Sequence, residues 1–210
     1  MPLSLPSERI SGEQLDTMLE QGYRRSGAFF YKTQCPSCNA CEPLRLDVSE
    51  FRMSRSLRRV WKKGASSCEA RLGKPQLDHY RVELFNLHRA QRGLDHGNSP
   101  ADIDDYRSFL LNALCDSVEL SFWVDDELVA VSITDVGQNS LSAVYCFFDP
   151  AFSAWSPGTF AILNQVELAK RLKRKWVYLG LYVANNRHLS YKGRFRPHAR
   201  RIDGNWVQFD

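Results

Sequence analysis

Three short stretches hold residue types at spacings that could do chemistry. Cys35-x-x-Cys38-x-x-Cys41 brings three thiols into one loop, and closely set thiolates favour soft metals such as zinc or iron. A closed structural zinc site takes four ligands. Cys68 is a candidate fourth that no spacing requires, and free thiols or a redox-sensitive pair are open readings of the same loop. The second stretch is Ser54-Arg-Ser-Leu-Arg-Arg-Val-Trp-Lys-Lys63, where Arg55, Arg58, Arg59 and Lys62 recur at i, i+3, i+4 and i+7. On a helix these four share one face, which suits the phosphates that dominate nucleic-acid affinity. Trp61 lies off that stripe and reads as core. The third is Tyr191-Lys-Gly-Arg-Phe-Arg-Pro197, preceded by Asn185-Asn-Arg-His188. Aromatics interleaved with cations can hold a phosphate, stack a base or clamp a carboxylate, and Gly193 invites close backbone approach. A basic loop sealing a sheet is the competing reading, and chemistry alone leaves both open.

These stretches need elements to position them. Ser11-Gly-Glu-Gln14 is a capping box opening a short helix that stops at Gly22. Residues 27–33 and 43–48 read as strands flanking the cysteine loop, 54–64 as the basic helix and 68–72 as a strand. Leu77, Tyr80, Leu84 and Leu87 give 77–92 helical spacing, and a further helix follows Pro100 through Leu114. Runs at 118–124, 128–135 and 140–148 are apolar and β-branched, and turn residues separate them, so they form an antiparallel meander. Ser156 then serves as N-cap with Pro157 at the first helical position, the helix runs to about Leu172, and 176–182 is a buried strand. Meander, helix and strand together resemble the core of a GNAT-like N-acyltransferase fold. The class is therefore α+β, with a small N-terminal module (1–65) carrying the cysteine loop and basic helix, and a catalytic domain (66–210).

The 210 residues suffice for a sizeable core at 43% hydrophobic composition, and no run approaches the roughly 20 apolar residues of a membrane span. The first residues lack the basic and apolar blocks of a signal peptide, so the expectation is a cytoplasmic protein without membrane partners, and six cysteines there argue against a disulfide framework. Cys115 and Cys146 lie in apolar runs and read as core. Net charge is only +4, but the cations cluster at 52–63, 170–175 and 187–201, which creates local positive fields. There is no GxxxxGK[ST], HExxH or GxSxG motif and no GxGxxG after a strand, and His79, His88, His96, His188 and His198 show no metal-ligand spacing.

Taken in order, the same motifs resemble the aminoacyl-tRNA–protein transferase family, above all its bacterial aspartate/glutamate leucyltransferases. The resemblance runs through Gly22-Tyr-Arg-Arg-Ser-Gly27, Phe29 to Tyr31, Cys35 to Arg45 and Ser54 to Arg59. It resumes at Ser142-Ala-Val-Tyr145, Ser156 to Leu163, Gln165 and Tyr178-Leu-Gly180, and closes with Arg187, Tyr191-Lys192 and Arg194-Phe-Arg-Pro197. Gly193 stands where the family has alanine, and Leu181-Tyr182 where it has Tyr-Trp. The family also carries a segment before residue 1, with a cysteine followed by Tyr-Leu, that this sequence does not include.

The resemblance implies transfer of leucine from leucyl-tRNA to the N-terminal Asp or Glu of acceptor proteins, an N-degron mark. Arginine as the donor's amino acid is the alternative, for which Asp135 would be a possible partner. No cofactor is required, with zinc or an iron–sulfur cluster at Cys35, Cys38 and Cys41 as an open possibility. Tyr178, Tyr191, Lys192 and Arg194 are expected to act in catalysis, Tyr178 orienting the amine. Arg45, Arg55, Arg58, Arg59, Ser156, Gly158, Thr159, Arg187 and Arg196 are expected to bind substrate. From other classes, a non-catalytic RNA-binding module would keep the cationic face, and a coenzyme A-dependent acetyltransferase would need an R/Q-x-x-G-x-G/A loop where Trp155-Ser-Pro-Gly-Thr159 stands.

Overall fold

The computed structural model describes residues 2–95 and 97–210, so His96 lies outside the described residues. Strand β1 (Leu3–Ser4) precedes helix α1 (Gly12–Glu20), which opens on the expected capping box: Gln14 N–H donates to Ser11 Oγ and Ser11 N–H to Gln14 Oε1. Strands β2 (Arg24–Ser26) and β3 (Phe29–Tyr31) join β1 in a small antiparallel sheet, ordered β1-β3-β2.

Next come β4 (Glu42–Asp47), α2 (Arg55–Ser67), β5 (Glu69–Gly73), α3 (His79–Gln91) and the short α4 (Ile103–Tyr106). The meander follows as β6 (Ser117–Val124), β7 (Glu127–Val136) and β8 (Ser140–Phe148). Helix α5 (Pro157–Arg171), β9 (Trp176–Tyr182), β10 (His198–Ile202) and β11 (Asn205–Phe209) complete the chain. The main sheet has the order β11-β10-β4-β9-β8-β7-β6-β5, and every neighbouring pair is antiparallel except β8 and β9. The fold is thus α+β, with the meander, helix and following strand of the expected core in place, the strand pairing parallel to β8. β4, drawn from the first 65 residues, is hydrogen-bonded between β9 and β10 inside this sheet.

Alternation along β7 explains why helices cover both faces. Side chains of a strand point to opposite faces in turn. Val131 and Ile133 pack with Val82 and Phe85 of α3 and with Tyr106. Ser132 and Thr134 face α5, where Gln165 Nε2 donates to both hydroxyls at 3.1 and 2.8 Å. On the α5 side, Leu57 of α2 joins Ile162, Leu163 and Val166 in one core cluster with Leu141, Val177 and Leu179. The two helices cross closely because residue 64 is glycine: a Cβ there would stand 2.4 Å from Phe160 Cδ2. Trp61 packs on Phe160 with ring centroids 5.5 Å apart, as core. Among the described residues no helix is long and apolar enough to cross a membrane.

Three local expectations need correction. Tyr80, assigned to the buried stripe of α3, is 77% exposed; Val82, Leu84, Phe85 and Arg81 are buried instead. Phe85 wins the contest between overlapping stripes because it meets four aromatic rings, those of Tyr106, Phe109, Tyr145 and Phe147. The helix expected to reach Leu114 is only α4, capped by Asp102, and it runs into a π-helical turn over Arg107–Leu111. Ser156 occupies the N-cap of α5 but makes no side-chain cap bond. It also ends the 3-10 turn Pro150–Trp155, and serving both elements holds it at φ 57°, ψ 64°, in the left-handed region.

Candidate active site

Strands β8 and β9 run side by side only from Ser140–Trp176 to Ser142–Tyr178, after which the pairing ends although both strands continue. Each carries an irregularity at that point. The β7–β8 register slips between Ile133 and Thr134, which leaves Val144 as an extra residue. The β4–β9 register slips between Leu44 and Arg45, which leaves Leu179 extra beside Gly180 at φ 88°. Bulges bend strands and raise local twist, and here they separate neighbouring strands in mid-sheet. A lone glycine inside the apolar run Trp176–Tyr182 is the sequence signal for this that the reading from motifs passed over.

Separated strands leave their carbonyls without a ladder partner, and buried backbone acceptors need partners. Two cations supply them. Arg24 Nη2 donates to Ala143 O at 2.6 Å, and Lys192 Nζ donates to Leu181 O at 3.0 Å. Gly180 admits both, since a Cβ there would lie 3.0 Å from Arg24 Nη2 and 3.2 Å from Lys192 Nζ. Desolvation, and then the Arg24 charge, lower the Lys192 ammonium from 10.5 to about 7. Burial lowers Arg24 as well.

Between the separated strands lies a cavity of about 1070 Å³. Its apolar lining includes Phe148, Ile162, Leu179, Leu181 and Leu189; its cations are Arg24, Arg89, Arg92, Arg187 and Lys192, and the one carboxylate among its lining residues is the exposed Asp105. The start of α5 forms another wall. Pro157 has no N–H, and those of Thr159 and Phe160 turn back to Ser156 O at 3.0 Å, which leaves Gly158 to offer a donor. Tyr191 also lines the cavity, its phenol pushed up by burial. His88, held low at about 4 by desolvation, stays neutral, with its Nδ1 3.0 Å from Phe148 O and 3.2 Å from Phe148 N.

Six residues singled out from the sequence thus meet in this cavity: Ser156, Gly158, Thr159, Arg187, Tyr191 and Lys192. Tyr178 and Arg45 do not join them. Tyr178 lines a separate cleft of about 360 Å³ with Asp16, Glu20 and Trp176. Its hydroxyl donates to Glu20 Oε2 at 3.1 Å and accepts from Arg45 Nη1 at 3.2 Å. Arg45 also bonds Glu20, and its guanidinium lies 3.9 Å from the Trp176 ring and 4.0 Å from that of Trp206. Arg194 and Arg196 are exposed and away from the cavity lining, and Arg196 bonds the carbonyl of Asp210. Arg55, Arg58 and Arg59 project from the exposed face of α2, again outside the cavity.

Asp135 is not free to meet an arginyl side chain, because Arg25 Nε holds its carboxylate at 2.8 Å in a pair that is 1% exposed on both sides. Cys146, assigned to the core, is a cavity-lining residue whose thiol burial pushes up to about 12; Cys115 is core, at 3% exposure. Arg24, Arg89, Arg92, Cys146, Gln165 and His188 are among the lining residues that motif reading did not assign to the site. Cys35, Cys38 and Cys41 are free thiols, and Cys68 sits at the C-cap of α2, donating to Gly64 O. Among the described residues no three His, Cys, Asp or Glu side chains are arranged to hold a metal ion.

Residues 2–59 match the N-terminal region, and 80–202 the C-terminal region, of the arginine-tRNA-protein transferase family. The aspartate/glutamate leucyltransferase of Chromobacterium violaceum is 37% identical over 204 residues, covering 97% of this chain and 84% of that protein. For the protein of the same description from Aeromonas hydrophila the values are 38% over 201 residues, 96% and 84%. For that of Acinetobacter baumannii they are 33% over 201 residues, 96% and 74%. Among solved structures, FemX superposes with a TM-score of 0.56 at 7% identity, covering 87% of this chain and 64% of that one. The L-PGS structure from Bacillus licheniformis gives 0.55 at 10% identity, covering 80% and 58%. The chain therefore spans less than two thirds of these structures, and at such identities the likeness is one of fold.

Proposed function

Because this chain belongs to the arginine-tRNA-protein transferase family, we propose that it transfers leucine from leucyl-tRNA to the N-terminal Asp or Glu of acceptor proteins, in the cytoplasm. The observation that carries this reading is the cavity between β8 and β9, apolar on its walls and cationic where the strand carbonyls are capped. A leucyl side chain fits against walls such as Leu179, Leu181 and Phe148. An arginyl side chain would want a buried carboxylate, and the only lining acid is the exposed Asp105.

The reaction is aminolysis of an ester. The acceptor's α-amine attacks the aminoacyl carbonyl, the C–N bond forms and the C–O bond to the 3′ ribose breaks. The nitrogen gives up a proton and the ribose oxygen takes one. The ester is already activated, so positioning and oxyanion stabilisation carry most of the work. Gly158 N–H is the donor at the helix start that can face the oxyanion. Lys192, with its pKa near 7, accepts the amine's proton at Nζ in its neutral form and can return it to the leaving oxygen. Arg55, Arg58 and Arg59, exposed and without carboxylate partners among the described residues, run along the tRNA backbone outside the cavity.

The test mixes purified protein with tRNA charged with labelled leucine or arginine and with peptides beginning Asp, Glu, Lys or Ala. Label on the Asp and Glu peptides from leucyl-tRNA alone is expected. Label from arginyl-tRNA instead would move the donor to arginine, and tRNA binding without any transfer would leave a non-catalytic RNA-binding module.

A further inference from the structure

His188 lines the cavity between two arginines. Arg92 Nη2 lies 3.1 Å from its Nδ1, and Arg187 Nε lies 3.2 Å from its Nε2. Desolvation, then Arg92 and Arg187, keep this imidazole below its usual pKa, so it is neutral near pH 7. A neutral imidazole has one lone pair and one N–H. Two guanidinium N–H groups aimed at its two nitrogens therefore leave one donor facing another. Neither arginine has a carboxylate partner among the described residues, and Arg89 beside them on the cavity wall has none either. Cations that line a cavity without a counter-charge and with a surplus of donors call for an anion.

Resting on the transferase reading above, we propose that Arg92, His188 and Arg187 form the subsite that holds the side-chain carboxylate of the acceptor's first residue. A carboxylate is acceptor-only and can take donors from all three residues, which resolves the donor–donor contact. An Asn or Gln amide turns an NH₂ toward the same donors and is rejected. The subsite thus gives a chemical reason for choosing an acid over its isosteric amide, which apolar walls could not supply. The phosphates of the tRNA end are the other anions within reach. Planar guanidinium forks fit either, but only the acceptor carboxylate would make these residues set acid-over-amide selectivity.

The experiment measures kcat and KM for Asp-initiated and Asn-initiated peptides at saturating leucyl-tRNA, and KM for leucyl-tRNA, in wild type, Arg187→Gln and Arg92→Gln. Arg187 is exposed, so Arg187→Gln keeps the comparison valid if Arg92→Gln fails to fold. Loss of one charge-assisted bond should raise KM for the Asp peptide by about tenfold to a hundredfold, with kcat nearly unchanged and acid-over-amide selectivity falling in step. Unchanged selectivity, or a rise in the leucyl-tRNA KM alone, would overturn the subsite, the latter by moving these residues to an RNA phosphate. Calorimetric titration of both peptides into wild-type protein separates this from the activity itself. Preferential binding of the Asp peptide without transfer would keep the anion subsite and remove the transferase reading; transfer with unchanged selectivity would do the reverse.

Discussion

Lys192→Met should flatten the pH dependence of this protein's stability and inactivate it. Lys192 lies where β8 and β9 separate, with Arg24 nearby and its Nζ on Leu181 O, and its ammonium falls from 10.5 to about 7 through desolvation first and the Arg24 charge second. A lysine whose folded pKa is depressed penalises folding. Below pH 7 both states bind the proton and the penalty is full. Between pH 7 and 10.5 only the unfolded chain binds it, so stability climbs with pH, and above 10.5 the penalty is gone. At about 1.4 kcal/mol per pH unit, the window from about 7 to 10.5 amounts to roughly 5 kcal/mol. Lys192 is partly exposed, so we take about 3 kcal/mol as the working magnitude. Methionine keeps the length and removes the charge, but it leaves Leu181 O without its donor, which costs about 1–3 kcal/mol and offsets the relieved penalty. Urea unfolding at pH 7 and pH 9.5 should show wild type gaining stability between the two pH values, with Lys192→Met gaining less. Leucyl transfer by the variant should fall by at least about a hundredfold, the usual scale of a proton acceptor. Equal pH slopes in the two proteins would refute a depressed ammonium at this position, and retained transfer would remove Lys192 from the chemistry.

Wild-type transfer at saturating substrates should rise through pH 7 as Lys192 loses its proton, a limb that a pH–rate profile would reveal and that Lys192→Met should lack. Gly180→Ala places a side chain at φ 88° and within 3.2 Å of both Arg24 Nη2 and Lys192 Nζ. It should cost about 1–2 kcal/mol in backbone strain and lower kcat more than it raises KM for either substrate. Asp135→Asn leaves Arg25 buried without its counter-charge and should cost about 3–5 kcal/mol in chemical denaturation. Arg58→Glu with Arg59→Glu on the exposed face of α2 should weaken tRNA binding and flatten its dependence on salt, measured by filter binding, with peptide KM unaffected.

Local chemistry makes several elements legible from the residues alone. Ser11 and Gln14 cap α1 from within four residues; the turns at 125–126 and 137–139 delimit the meander; and the cations of α2 share a face through spacing alone. These are short-range determinants, and sequence order is enough to read them. The family is legible too, because its motifs recur in order along almost the whole chain. Burial of α3 is not, since two apolar stripes overlap on that helix and only the facing strands choose Phe85 over Tyr80.

The site itself is the least legible. The family resemblance placed Tyr178 with the catalytic residues through the run Tyr178-Leu-Gly180, yet in a strand neighbouring side chains take opposite faces. Tyr178 goes to Glu20 and Arg45, while Leu179, Gly180 and Leu181 line the cavity. Arg24 and Lys192 come from opposite ends of the chain, and nothing local says that they cap carbonyls of strands that separate. The sequence by itself determined the cap of α1, the cationic faces, the order of the meander and the family. Tertiary structure alone decided where the sheet opens, which cations lose their water there, and which carboxylate is already taken by Arg25, because desolvation and pairing depend on neighbours that long-range strand register brings together.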